Sequence, residues 1–199
     1  MPSITQRKKF AHGKRGIIYT GMYKGKKVAI KKKRMESLAR DRMQNEATWL
    51  RILNRHGIGP KFLSFKNNEV VYEFVEGEFI VPFLEKVSLK RRKDVILDVF
   101  LQMYALDLLG VNKEEMHHPL KHILVTKGDK PVLIDFERCH LTEKPKNVTQ
   151  FLQFVTRTRA RTFLGVMPSA TLKKMQITYK SKYSEQSFRK LLVLLHLLP

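Results

Sequence analysis

The chain has 199 residues, of which 39 are lysine or arginine and 18 are aspartate or glutamate, giving a formal net charge of +21. A single cysteine, Cys139, excludes an intramolecular disulfide and a two-cysteine metal or redox pair, and predicts a reducing, cytoplasmic setting. The longest apolar run, residues 191–198, contains His196 and is too short to span a bilayer, so no membrane partner is expected.

The positive charge is concentrated in two parts of the chain. Residues 1–35 contain twelve basic residues and no acid, and residues 144–184 contain nine basic residues and no acid. Residues 36–143 are balanced, with sixteen bases against seventeen acids. Heat adaptation is one alternative explanation, but it normally enriches glutamate together with lysine. The two acid-free blocks therefore indicate a polyanionic partner.

The N-terminal block is predicted to form strands over residues 5–10, 17–23 and 26–33, with a tight turn at Lys24-Gly25. The connection between the first two strands contains Gly13, Lys14 and Gly16. Glycine allows backbone N–H groups to approach phosphate oxygens, and a neighbouring cation favours the same ligand. These residues are candidate nucleotide contacts, and an ordinary hairpin turn is the alternative.

Lys31 ends the apolar strand sequence Val28-Ala29-Ile30, where a lysine can reach the phosphates of a nucleotide. Such a lysine needs a carboxylate to fix its position. A helix predicted over residues 37–55 carries Glu46 on its apolar side, where an unpaired charge would be costly. The sequence therefore predicts a pair between Lys31 and Glu46, with a surface pair to Arg42 as the alternative.

Two more strands, residues 62–65 and 70–74, are joined at Asn67-Asn68 and complete a predicted five-stranded antiparallel sheet. The chain then leaves the sheet through an extended connector. Backbone groups of Glu73 and Val75 in this connector are candidates for binding an adenine edge.

A further predicted strand, residues 131–134, is apolar and ends at Asp135. A carboxylate at the end of a buried strand is well placed to hold Mg²⁺ against phosphate oxygens, and a polar turn is the alternative. Before this strand come an amphipathic helix over residues 88–109 and three histidines within six residues, His117, His118 and His122. Their spacing does not fit a standard zinc site.

The C-terminal part is predicted to be helical. An apolar face at Val148, Phe151, Leu152 and Val155 is followed by several arginines, and Ser169 and Ser184 are predicted to begin two further helices. Arg157 and Arg161 would share one helix face. Together with Lys32 and Lys33 of the first basic block, they are candidate phosphate contacts, and a solvated helix end is the alternative.

The ordered set of glycine loop, Lys31, Glu46, connector and Asp135 resembles the small atypical kinases of the RIO and Bud32-like kind over residues 8–140. The resemblance implies an α+β, protein-kinase-like bilobal fold. Residues 1–76 would form an N-lobe with an antiparallel sheet and one helix, and residues 77–199 a reduced, mostly helical C-lobe. It further implies that ATP and Mg²⁺ are used, that Lys31 binds phosphates and that Asp135 holds the metal.

The predicted catalytic loop departs from this pattern. The alignment puts His117 at the position of the catalytic aspartate and His122 at that of the metal-binding asparagine. A neutral histidine can accept a hydroxyl proton, whereas imidazole is a poor Mg²⁺ ligand, so His122 is a weak metal candidate. If the alignment is shifted, His118 or Glu115 takes the role of His117.

The histidine-substituted loop and the basic ends are similar to the archaeal kinases that phosphorylate an internal ribose 2′-hydroxyl of tRNA. This resemblance implies ATP-dependent phosphate transfer to tRNA or another structured RNA. Two alternatives remain open: a RIO-like or Bud32-like kinase or ATPase with a protein substrate, and a pseudokinase that binds RNA without chemistry.

Overall fold

The computed structural model describes residues 3–12, 16–33, 42–157, 164–166 and 169–199, without the side chains of Lys33 and Arg157. Contacts divide the chain into two compact units. The first contains Met1–Glu76 and Val132–Cys139, and the second contains Gly77–Pro131 and His140–Pro199. The segment Val132–Cys139, which carries Asp135, therefore groups with the residues of the N-terminal sheet.

The first unit is built on the predicted five-stranded antiparallel sheet, and its strand order is β1-β2-β3-β5-β4. Its strands are β1 Thr5–His12, β2 Gly16–Tyr23, β3 Lys26–Lys33, β4 Phe62–Lys66 and β5 Glu69–Glu73. The two predicted tight turns have the left-handed backbone that two-residue hairpins require, with φ values of 48° and 74° at Lys24-Gly25 and 52° and 57° at Asn67-Asn68.

Helix α1, Arg42–Leu53, supplies the other layer of the first unit. A short 3₁₀ helix, Asn54–His56, continues it and ends at Gly57, whose φ is 69°. The predicted start of this helix at Ser37 lies outside the described residues. The apolar side of α1 is buried, and Glu46 lies on that side among Met43, Ala47 and Leu50.

Gly59 shows how tightly the first unit is packed. Its φ of 82° suits glycine, and a Cβ added there would lie 2.9 Å from the Phe136 ring. Phe136 is fully buried. The segment that carries Asp135 is therefore fixed against the end of α1.

The second unit is mostly helical. Its helices are α2 Ile80–Lys86, α3 Leu89–Leu108, α4 Asn147–Arg157, α5 Ala170–Lys182 and α6 Glu185–Leu194. Its short strands are β6 Gly77–Phe79, β7 Val111–Asn112, β8 Ile123–Thr126, β10 His140–Leu141 and the first residue of β9 Pro131–Leu133. The predicted starts of the last two helices are confirmed, because the Ser169 and Ser184 hydroxyls accept hydrogen bonds from the backbone N–H groups of Leu172 and Ser187.

A buried hydrogen-bond network holds α3, α4 and α5 together. The Asp107 carboxylate accepts hydrogen bonds from the Asn147 side chain at 2.7 Å, the Val148 N–H at 3.2 Å and the Tyr179 hydroxyl at 2.7 Å. The Asn147 amide also donates to the Val111 carbonyl at 2.6 Å. The network thus fixes the start of α4 against the chain that follows α3.

Within the described residues, no helix is long and apolar enough to cross a bilayer.

Candidate active site

Lys31 lies at the centre of an ion cluster in the first unit. Its Nζ is 2.6 Å from a Glu46 carboxylate oxygen, 2.8 Å from Asp135 Oδ1 and 3.4 Å from Glu137 Oε2. The predicted pair between Lys31 and Glu46 is therefore present. The structure also brings Asp135, a residue 104 positions away from Lys31, into direct contact with the same ammonium group.

The local backbone explains how these side chains meet. Lys31 lies in the middle of the sheet, paired with Ile18 on β2 and Val70 on β5. Glu46 comes from the buried side of α1. Asp135 follows the end of β9 with a φ of 64°, a conformation that aspartate tolerates better than most residues.

Glu137 is a member of the cluster that sequence reasoning missed. Its carboxylate lies between Lys31 and Arg42, whose NH1 is 3.3 Å away. The Asn45 side-chain amide donates to the backbone carbonyls of Glu137 and Cys139 at 3.0 and 2.9 Å. Arg42 therefore contacts Glu137, not Glu46 as the sequence alternative had it. The acidic pair two residues apart, Asp135 and Glu137, was the available signal.

The electrostatics of the cluster depend on its burial. Burial raises the pKa of Glu46, and the charges of Asp135 and Glu137 raise it further, whereas Lys31 opposes this rise. For Lys31 burial acts in the opposite direction and lowers the pKa, but Glu46, Asp135 and Glu137 together hold it well above 10.5. Lys31 therefore remains a cation at neutral pH.

The cluster contains the oxygen ligands that Mg²⁺ prefers. One carboxylate oxygen each from Glu46, Asp135 and Glu137 lies within 4.8 Å of the others. Only Asp135 has a substantially accessible side chain, 37% exposed against 2% for Glu46 and 6% for Glu137. The residues present fit a divalent cation, and Asp135 is the one that a bound metal phosphate could reach without repacking.

The connector residues have different backbone environments. The Glu73 N–H donates to the Lys61 carbonyl at 2.9 Å, and the Glu73 carboxylate is 3.1 Å from Lys26 Nζ. No backbone hydrogen bond within the described residues uses Val75. Val75 therefore keeps the free backbone groups that a purine edge would need, and the Glu73 N–H does not.

The histidine-containing loop belongs to the second unit. His117 and His118 are exposed, and no hydrogen bond in the described part of the chain holds the His117 imidazole. His122 is largely buried, and its Nε2 is 2.8 Å from the Glu115 carboxylate. Glu115 has a φ of 70°. The roles of His117, His118, Glu115 and His122 stay predictions.

The other predicted contacts are described only in part. Gly16 begins β2 beside the backbone of Lys32. The Lys32 ammonium is half exposed and 3.6 Å from Glu69. Gly13, Lys14, Arg161 and the side chains of Lys33 and Arg157 lie outside the described residues.

No protein-family model and no curated protein matches this chain. Its structure is similar to that of the Rio2 kinase from Chaetomium thermophilum, with a TM-score of 0.59 and 13% sequence identity over 98% of this chain and 70% of that chain. That structure is described as a complex with ADP/Mg²⁺ and phosphoaspartate. At such low identity the likeness establishes the fold alone. The chain thus has the predicted α+β, kinase-like bilobal fold.

Proposed function

We propose that this protein is an ATP- and Mg²⁺-dependent kinase that phosphorylates a ribose 2′-hydroxyl of a structured RNA such as tRNA. The observation that carries the proposal is the cluster of Lys31, Glu46 and Asp135 on a kinase-like fold. The net charge of +21, concentrated in two acid-free blocks, favours a nucleic acid over a protein as the acceptor.

Each residue of the cluster would have its own role in binding the nucleotide and the metal. Lys31 would bind nucleotide phosphates, with Glu46 fixing the ammonium group. Asp135, assisted by Glu137, would hold Mg²⁺, which when bound offsets the charge of the phosphates. Glu73 and Val75 would face the base, and Gly13, Lys14 and Gly16 the phosphates.

The acceptor hydroxyl would need a group that orients it and accepts its proton. His117 is exposed and not engaged in another hydrogen bond of the described chain, so its imidazole is available for this role. In the transfer the ribose oxygen bonds to the γ-phosphorus, the bond from that phosphorus to the leaving ADP oxygen breaks, and the hydroxyl proton passes to His117. Phosphoryl transfer depends more on positioning than on a strong base, so a histidine is sufficient.

A second candidate is a kinase or ATPase with a protein substrate, favoured by the fold likeness to the Rio2 kinase. A third is a pseudokinase that binds RNA without turnover, favoured by the histidines at the positions where the resemblance expects aspartate and asparagine.

The test is to incubate the protein with Mg²⁺ and ATP labelled on the γ-phosphate, together with a tRNA transcript or casein. We expect label in the RNA, and resistance to alkaline cleavage at the modified nucleotide because its 2′-oxygen can no longer attack the adjacent phosphodiester. Label in casein or free phosphate would support the second candidate, and no turnover the third. Asp135→Asn should reduce transfer by at least about 100-fold, since it removes the accessible metal ligand. Full activity of this variant would contradict the assigned site.

A further inference from the structure

A cavity with a basic lining lies beyond the end of α1 in the first unit. Its volume is about 490 Å³, and its lining consists of Arg51, Asn54, Gly57, Gly59, Lys61 and Phe62. We call it the basic notch. Neither Lys31 nor any other residue of the ion cluster lines it, so it is distinct from the candidate active site.

The wall of the basic notch is fixed by one asparagine. The Asn54 side-chain amide donates to the carbonyls of Ile58 and Pro60, both at 3.0 Å, and its Oδ1 accepts from the Phe62 N–H at 2.6 Å. At Gly57 an added Cβ would meet no atom within 4 Å, so the opening there is free of side chains. The notch therefore keeps its shape without a ligand.

Two cations line the notch, and one of them, Arg51, has no carboxylate of the described chain within ion-pair distance. The Arg51 guanidinium lies 5.1 Å from the centre of the Phe62 ring, and no acidic side chain of the described chain is within ion-pair distance of it. By contrast, Arg91 is engaged by Asp129 at 2.6 Å. Lys61 is exposed, and its nearest carboxylate, Glu73, is 3.8 Å away. An arginine stacked on an aromatic ring keeps its planar donor edge available for an anion.

The sequence around the notch extends this positive charge. From residue 47 to residue 68 there is no acid, and the segment contains Arg51, Arg55, Lys61 and Lys66. Arg55 and His56 are exposed on the 3₁₀ helix beside Gly57, and Lys66 is exposed at the far end of β4. Residues 47–68 are thus a third acid-free block. The count of charges over residues 36–143 does not show it, because the acids of that range lie on either side of the block. Exposed cations on either side of the notch suit an extended polyanion better than an isolated anion.

We infer that the basic notch binds the phosphodiester backbone of an RNA. Arg51, held on the face of Phe62, pairs with a phosphate through two parallel N–H groups, and Lys61 adds a second charge. The inference deepens the proposed function, on which it rests for the identity of the polyanion. It adds Arg51 and Lys61 to the candidate phosphate contacts Lys32, Lys33, Arg157 and Arg161.

The test uses the full-length protein and the anisotropy of a fluorescent tRNA transcript, measured over a range of salt concentrations. Arg51→Gln should weaken binding about five- to tenfold and lower the slope of log affinity against log salt by about 0.7 to 0.9, as expected for one lost phosphate contact. Lys61→Gln should act in the same direction. Arg51→Lys keeps the charge but loses the stacked, two-pronged donor, so it should keep the slope and lose part of the affinity. Lys127→Gln, an exposed site outside residues 1–35, 47–68 and 144–184, is the matched control and should be silent.

The inference that the basic notch binds RNA would fail if Arg51→Gln and Lys127→Gln gave the same tRNA affinity and the same salt slope. The inference would also fail if Arg51→Gln lost affinity for casein while its affinity for tRNA stayed at the wild-type value. This readout is independent of turnover. If phosphate is transferred to protein and not to RNA, the proposed function fails while the notch is still judged on binding. If RNA is phosphorylated, the notch variants should raise KM for RNA and leave kcat at saturating RNA unchanged.

Discussion

At the scale of single residues, Lys31 is the ammonium group that two buried carboxylates of the first unit share. Glu46 and Glu137 are 1% and 7% exposed, and both lie within 3.4 Å of the Lys31 ammonium. A buried carboxylate that loses its cation is costly to ionise. The stability of the unit should therefore depend on this one side chain.

Lys31→Ala should lower the free energy of unfolding by about 3 to 5 kcal/mol at pH 8, the usual cost of removing one partner of a buried pair. Because burial already raises the pKa of Glu46, loss of the cation raises it further, and the folded variant binds protons more tightly than the unfolded chain. The cost should therefore shrink from pH 8 to pH 5. Urea unfolding at both pH values measures it.

An exposed pair serves as the control for that experiment. The pKa of Lys31 is raised, so Lys31 itself stays protonated from pH 5 to pH 8, and any change in the cost over this range comes from the carboxylates. Lys86→Ala removes an exposed pair with Glu78 and should cost less than about 1 kcal/mol. Equal losses in Lys31→Ala and Lys86→Ala would show that the buried cluster contributes no more than a surface pair.

His117 offers the clearest separation of catalysis from stability. Its side chain is exposed and makes no hydrogen bond in the described chain, so His117→Ala should leave the thermal unfolding midpoint unchanged. If it orients the acceptor hydroxyl, the same variant should lower kcat by about 10² to 10⁴ with little change in KM for ATP. His118→Ala and Glu115→Gln are the matched variants, and a loss confined to one of them would move the role there. A wild-type rate in His117→Asn would remove His117 from the mechanism.

At the scale of elements, the second unit depends on the hydrogen bonds that join α3, α4 and α5. Tyr179→Phe removes one donor from the buried Asp107 carboxylate and should cost about 1 to 3 kcal/mol. Burial raises the pKa of Asp107 above 3.8, and its hydrogen bonds limit that rise. Without the Tyr179 hydroxyl this pKa rises further, so the cost should be larger at pH 7 than at pH 5.

Thermal or urea unfolding of Tyr179→Phe at the two pH values provides the measurement. Tyr183→Phe is the matched control, because its hydroxyl donates to the neutral, partly buried carbonyl of Pro145 at 2.9 Å. It should cost less than Tyr179→Phe and show no such dependence on pH. The same cost at both pH values for Tyr179→Phe would mean that the Asp107 charge is not what the hydroxyl stabilises.

The elements also show what the sequence can predict. Long strands with turn residues such as Lys24-Gly25 and Asn67-Asn68 carry their own signals, and so do helices begun by Ser169 and Ser184. The two-residue strands β7 and β10 have no periodicity and exist only through their mutual pairing. Helix α2 has only seven residues, too few to show a clear pattern.

The candidate site was predictable to the extent that its residues had a motif. Lys31, Glu46 and Asp135 each end or interrupt an apolar pattern, which marks a charge that must be compensated. Glu137 and Arg42 neither end nor interrupt an apolar pattern. Their pairing arises from the turn that follows Asp135. The notch around Arg51 and Phe62 likewise depends on a loop conformation that Asn54 fixes.

At the scale of the whole molecule, the net charge of +21 favours binding to a polyanion such as RNA. The charge is not spread evenly, so RNA binding should be dominated by contacts to phosphates and should depend little on sequence. Lys32, Lys33, Arg157 and Arg161, from the two terminal acid-free blocks, are the predicted contacts.

If those four residues each neutralise one phosphate, a rise from about 50 to 200 mM salt should weaken their share of tRNA binding about 50- to 150-fold. Replacing all four by glutamine should lower the salt slope by about 3 to 4 and cost affinity more than turnover of bound RNA. The matched control replaces four exposed lysines of the second unit, Lys86, Lys90, Lys127 and Lys130, and changes net charge by the same amount. If the positions of the charges matter, only replacement of the four predicted contacts should lower the salt slope. Equal slopes in the two quadruple variants would mean that net charge alone governs binding. A wild-type affinity for tRNA that does not depend on salt would exclude phosphate contacts as the source of binding.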